Sequence, residues 1–124
     1  MLAGLSAAPR PFVLRRGNVA LDLPDLHDRA LQQTRKYVAG IGDDQWMSAT
    51  PCEGWDVREL VNHIVTGNFW AGELARGKTI DEVGDRLDGD LLGDDPVAAY
   101  DASARAASDA FQAPGAMEAP CAVS

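Results

Sequence analysis

The stretch that decides the fold is Asp56-Val57-Arg58-Glu59-Leu60-Val61-Asn62-His63-Ile64-Val65-Thr66-Gly67-Asn68-Phe69-Trp70-Ala71. Val57, Leu60, Val61, Ile64, Val65, Asn68 and Ala71 recur at three-and-four spacing, the period of one face of an α-helix. Asp56 and Glu59 have the offset of a capping box, in which each side chain satisfies a free amide at the other's position. The helix is therefore expected to start at Val57 and run to about Arg76. Just upstream, Thr50-Pro51-Cys52-Glu53-Gly54-Trp55 contains a proline and a glycine that forbid continuous helix, and Asp43-Asp44-Gln45-Trp46 reads as a short turn. Trp46, Cys52 and Trp55 cluster there, and a tryptophan ahead of the helix can staple its start.

On the N-terminal side, Leu26, Ala30, Leu31, Thr34, Tyr37, Val38 and Ile41 form a second periodic stripe. Asp22 or Asp25 serves as cap, which predicts a helix over about 23–41. On the C-terminal side, Asp95-Pro96 opens a third helix, because a proline at the first helical position gives up an amide that has no partner anyway. Val97, Tyr100, Ala104, Ala107, Ser108 and Phe111 are its inner positions, and Pro114-Gly115 ends it near residue 113. Residues 77–94 carry one helical turn at most, around Ile80 to Val83, in an acidic loop expected to connect rather than to pack. Met1 to Val19 shows no sustained period, so 1–20 is expected to be a poorly ordered extension, with one helical domain over 21–124. A content of 46% hydrophobic but only 6% aromatic residues also favours closely packed helices over a sheet. The fold class expected is an all-α up-and-down bundle.

The net charge of −8 repels phosphate backbones and anionic lipid, so neither nucleic acid nor a membrane surface is an expected partner. No apolar run approaches the roughly 20 residues that cross a bilayer, and the first residues lack the layout of a cleavable signal; a cytoplasmic protein is expected. Cys52 and Cys121 are expected to be free thiols, since neither sits in a CxxC spacing. Glycine-rich phosphate loops and a nucleophile elbow are absent. The carboxylates of Asp85, Asp88, Asp90, Asp94 and Asp95 lack the order of a calcium-binding loop and read as a solvated loop.

Two histidines exist, His27 and His63. His63 lies at the edge of the central helix's apolar stripe, with Gly67 and Trp70 following one and two turns later on the same side. An imidazole there can be held dry and neutral and bind a divalent metal, with Gly67 leaving room and Trp70 walling a pocket; equally it can be a hydrogen-bonded histidine at the core edge. His27 falls on the inner side of the first helix and could approach His63, although a structural role suits it better.

Together Asp43-Asp44-Gln45-Trp46, Thr50-Pro51-Cys52-Glu53-Gly54-Trp55-Asp56-Val57 and Leu60-Val61-Asn62-His63-Ile64-Val65 resemble the N-terminal half of the mycothiol-dependent maleylpyruvate isomerase family, within the DinB/YfiT-like superfamily of metal-binding bundles. Thr79-Ile80-Asp81-Glu82-Val83-Gly84-Asp85 and the segment 89–96 are similar to one branch of that family. The resemblance implies a four-helix bundle holding a divalent metal, often zinc, through a histidine on the second helix, an acidic residue or histidine, and a further histidine on the last helix. It also implies chemistry with a low-molecular-weight thiol, mycothiol. His63 matches the first ligand. No histidine follows it, so three of four bundle helices and one of three ligands are expected, and the catalytic residues of the family have no counterpart to assign. The expected function is a divalent-metal-binding protein resembling thiol-dependent isomerases or transferases, with a small-molecule thiol or substrate as partner. The alternatives are a small-molecule-binding module, or an inactive helical fragment that pairs as a homodimer through exposed Val61, Ile64, Tyr100 and Phe111.

Overall fold

A computed structural model describes residues 13–16 and 19–122. Its elements are a two-stranded antiparallel ladder, β1 (Val13–Arg16) with β2 (Val19–Asp22), followed by the helices α1 (Leu23–Ala39), α2 (Val57–Ala75), α3 (Ile80–Val83) and α4 (Pro96–Gln112). The extension anticipated over 1–20 lies largely outside the described residues; its described parts are β1 and the first residues of β2. The architecture is all-helical apart from this ladder, as the periodicity predicts.

Each long helix starts where its cap residue stands. Asp22, and not Asp25, caps α1, its carboxylate accepting the Asp25 N–H at 3.1 Å. In α2 the reciprocal box forms, with Asp56 Oδ1 accepting from Glu59 N–H at 2.8 Å and Glu59 Oε2 from Asp56 N–H at 3.0 Å. Asp95 accepts the Ala98 N–H at 3.1 Å at the start of α4, and Pro96 follows as the first helical residue. The single turn α3 carries a box of its own between Thr79 and Glu82. Satisfying the otherwise free amides of the first turn in this way typically contributes about 1 kcal/mol per cap.

α4 packs on both α1 and α2, and the residue pairs fix the directions. Asn68 meets Ser103, and Gly72 approaches Ala106, so α2 and α4 run parallel. His27 meets Phe111, Asp28 bonds Ser108 and Arg35 bonds Asp101, so α1 runs antiparallel to α4. A parallel neighbouring pair requires the chain to travel back the length of α2, and residues 76–95 do so. The core gathers Val38 of α1, Val61 and Val65 of α2, Tyr100 of α4 and Leu92 of the returning connection.

Three sequence expectations change here. The 77–94 segment does pack: Val83 is 1% and Leu92 2% exposed, because a return across α2 places its few apolar residues over the gap between the helices. Tyr37, counted on the inner stripe of α1, is 71% exposed, since α4 covers only a narrow face centred on Leu31 and Val38. Val61 and Tyr100, two of the positions assigned to an exposed pairing face, are 4% and 1% exposed, since α2 and α4 bury them against each other.

Candidate functional site

His63 projects from the second turn of α2 and is exposed, not dry at the core edge. It borders a groove of about 580 Å³ that runs between α2 and the returning connection. One wall is α2 with the residue ahead of its cap: Trp55 stands against His63 with ring centroids 4.8 Å apart and planes inclined at 50°. The other wall is the backbone and side chains of Asp88, Gly89 and Asp90.

Local chemistry explains why Trp55 stands there. Gly54 takes φ +84°, a conformation that costs a glycine little and other residues more, and this turns the chain sharply into Trp55. The Thr50 hydroxyl donates to the Trp55 carbonyl at 2.8 Å and accepts the Cys52 N–H at 3.1 Å, closing the loop. The carbonyls of Trp46 and Ser48 accept the Arg58 and Val57 amides at 2.9 and 3.0 Å, so the loop is bonded to the first turn of α2. Trp46 packs on the core from beneath, which is the structural role its position suggested.

Most of the groove's charged groups already have partners. The Glu59 carboxylate completes the capping box. Asp90 accepts from Arg58 at 2.7 Å and from the Leu92 N–H at 2.8 Å, and the Arg58 guanidinium holds its carboxyl below the usual carboxylate range. Exposed Asp88 is the lining carboxylate that no described hydrogen bond or ion pair engages. Among the described residues, no three His, Cys, Asp or Glu side chains converge as a metal-binding group. The free donors here are therefore the His63 imidazole and the Asp88 carboxylate of the opposite wall, too few to fit a tightly held divalent ion.

The remaining sequence candidates lie elsewhere. Gly67 is exposed, with open space where a Cβ would stand, and Trp70 is half-buried; both follow His63 along α2, but neither lines the groove, whose aromatic wall is Trp55. His27 does not approach His63, because the opposed directions of α1 and α2 put the start of α1 beside the end of α4. There it meets Phe111 edge-on at 4.8 Å and 75°. Burial pushes its imidazole pKa down, against an opposing pull from Asp28, and its Nδ1 is enclosed without a hydrogen-bond partner among the described residues. His27, Phe111, Leu23, Leu26 and Met117 line a second, apolar groove of about 430 Å³. Cys52 and Cys121 are free and exposed.

Arg58, Asn62, Thr50 and Asp88 are the site residues that motif reading passed over. Asn62 and Arg58 had one available signal, polar side chains one turn apart from each other on α2, with Asn62 next to His63. What they bond to depends on the path of the connection, which has no period to read.

No helix among the described residues is long and apolar enough to cross a membrane. No solved structure matches the chain. Two uncharacterized proteins of Mycobacterium tuberculosis, Rv0738 of strain H37Rv and MT0763 of strain CDC 1551 / Oshkosh, are each 36% identical to it over 93 residues, covering 75% of this chain and 47% of theirs. The chain thus spans about half the length of the curated relatives it matches. The model of the mycothiol maleylpyruvate isomerase N-terminal domain matches residues 27–120, a span that holds α2, the returning connection and α4 together with the His63 groove, and the chain belongs to that family.

Proposed function

We propose that this chain supplies the histidine-bearing part of a divalent-metal site in a thiol-dependent isomerase- or transferase-like domain. His63 is the ligand it contributes, zinc the metal and mycothiol the thiol. The observation that carries this reading is the exposed His63 imidazole at the mouth of a groove large enough for a small molecule, within a stretch that matches the family. The groove, whose lining carboxylates outnumber its one arginine, is suited to a polar small molecule and not to nucleic acid. The further donors a metal needs would come from outside the residues described, as the greater length of the relatives allows. A bound divalent ion would lower the pKa of a coordinated thiol, the chemistry on which thiol-dependent catalysis depends. A cytoplasmic location, where such thiols are kept reduced, is part of the same proposal.

Zinc titration at rising concentration in equilibrium dialysis, compared between the unaltered chain and His63→Ala, tests it. Weak zinc uptake by the unaltered chain that is lost with His63→Ala supports the reading; equal, negligible uptake in both removes His63 as a ligand in this chain. A small-molecule-binding module is the second reading, favoured by the groove itself. Stabilisation by a thiol or small carboxylate in a metal-free buffer, with no zinc uptake, would select it.

A further inference from the structure

The wall of the groove opposite Trp55 is part of the returning connection, and it is held to α2 by two side chains that precede His63 on that helix, Arg58 and Asn62. The Asn62 amide bonds in both directions: Nδ2 donates to the Gly89 carbonyl at 2.9 Å and Oδ1 accepts the Leu91 N–H at 2.7 Å. These backbone groups lie two residues apart on one edge of the chain, so Asn62 completes them as a neighbouring strand would. One turn earlier, Arg58 Nη2 donates to Asp90 Oδ2 at 2.7 Å and to the Gly93 carbonyl at 2.9 Å. Beneath the wall, Leu92 is anchored in the core.

We infer that Asn62 is a positioning residue of this groove: its two-way bond to Gly89 and Leu91 sets how far the Asp88–Asp90 wall stands from the His63 imidazole. Asn62 and His63 are consecutive residues of one rigid helix, with Cα atoms about 3.8 Å apart. A wall bonded to Asn62 therefore keeps its place relative to His63 with little backbone between them to flex. The requirement is narrow. Aspartate keeps the acceptor for Leu91 but sets a carboxylate oxygen against the Gly89 carbonyl, and alanine removes both bonds. Arg58 and Leu92 remain in each case, so the wall loosens without detaching. The inference rests on His63 being the working group of the groove, as proposed above, and names what fixes the shape of the space that group faces.

The test uses the full chain with Asn62→Ala and Asn62→Asp, the second guarding against a folding failure of the first. Two readouts are hydrogen exchange at the Leu91 amide and the rates at which diethyl pyrocarbonate modifies His63 and His27, followed by mass spectrometry. The expected result is Leu91 exchange faster by about tenfold in Asn62→Ala, the size of one lost part-buried hydrogen bond, with a smaller increase in Asn62→Asp. His63 reactivity is expected to change at least twofold with His27 unaltered, because His27 sits at the far end of α4. Unchanged Leu91 exchange, or His63 and His27 reactivities rising together as in general loosening, would overturn the inference. Zinc binding is scored separately on the unaltered chain. Its absence there would remove His63 as a ligand in this chain, while the positioning role would still stand or fall on exchange and reactivity.

Discussion

At the scale of single residues, two glycines of α2 have opposite meanings. Gly72 is buried where α2 approaches α4, and a Cβ there would meet the Ala106 carbonyl oxygen at 3.1 Å and its carbon at 3.2 Å. Both are backbone atoms of a packed helix and cannot swing aside. Gly72→Val is therefore expected to cost about 1–3 kcal/mol through overpacking, measured as a shift of the urea midpoint at constant slope. Gly67 has nothing within 4 Å of a Cβ position and lies in mid-helix. Gly67→Ala is expected to stabilise the chain by roughly 0.5–1 kcal/mol, since the glycine loses more backbone freedom on folding. If Gly67→Ala instead lowered stability, α2 would have to be closely covered at that point.

At the scale of elements, the three long helices are locked to each other by a polar thread inside an apolar core. Tyr100 is 1% exposed, and its hydroxyl donates to the Leu31 carbonyl of α1 at 2.7 Å. One turn on, Ser103 donates to the Tyr100 carbonyl at 2.8 Å and accepts from Asn68 of α2 at 3.2 Å. Tyr100→Phe keeps the ring and removes the bond between α1 and α4, so a loss of about 1 kcal/mol is expected in the same unfolding experiment. A loss near zero would mean that water replaces the hydroxyl without cost. The element that changes most from expectation is the 76–95 connection. Its sequence is acidic and aperiodic, which suggested a solvated link, yet it is clamped at Glu73 by Lys78 at 2.7 Å and at Arg58 and Asn62 further on. Glu73, Asn62 and Arg58 show no period that would announce these partners.

At the scale of the whole molecule, stability should fall on the acid side in two stages. His27 has a folded pKa below the ordinary imidazole value of about 6.5, because burial disfavours its cation. The unfolded chain then binds more protons, so the His27 contribution is complete above about 6.5 and is lost as pH falls from there toward the depressed folded value. Glu73, Asp90 and Asp101 have folded pKa values below the ordinary carboxylate range, through bonds to Lys78, Arg58 and Arg35 respectively. Their contributions are present above about 4 and are lost as pH falls through the lowered values. Urea midpoints between pH 7.5 and 3 should show both stages, and His27→Leu should flatten the upper one alone. An upper stage that survives His27→Leu would assign it to another group.

The long helices, the caps of α2 and α4, and the helix that carries His63 are legible in local sequence alone. Those rest on interactions three or four residues apart, such as the Asp56–Glu59 box, Asp95-Pro96, and the spacing of Val57, Val61 and Val65, which act before any tertiary contact forms. The sequence also marked His63 through its neighbours in the chain. The tertiary structure alone decided that α2 and α4 run parallel, that His27 lies away from His63, and that Trp55 and not Trp70 walls the groove. It decided as well that Asn62 and Arg58 hold the opposite wall. Each of these depends on the route of residues 76–95, and a segment without a repeating pattern acquires its position only from long-range partners: Leu92 in the core and the polar groups of α2 that meet its backbone.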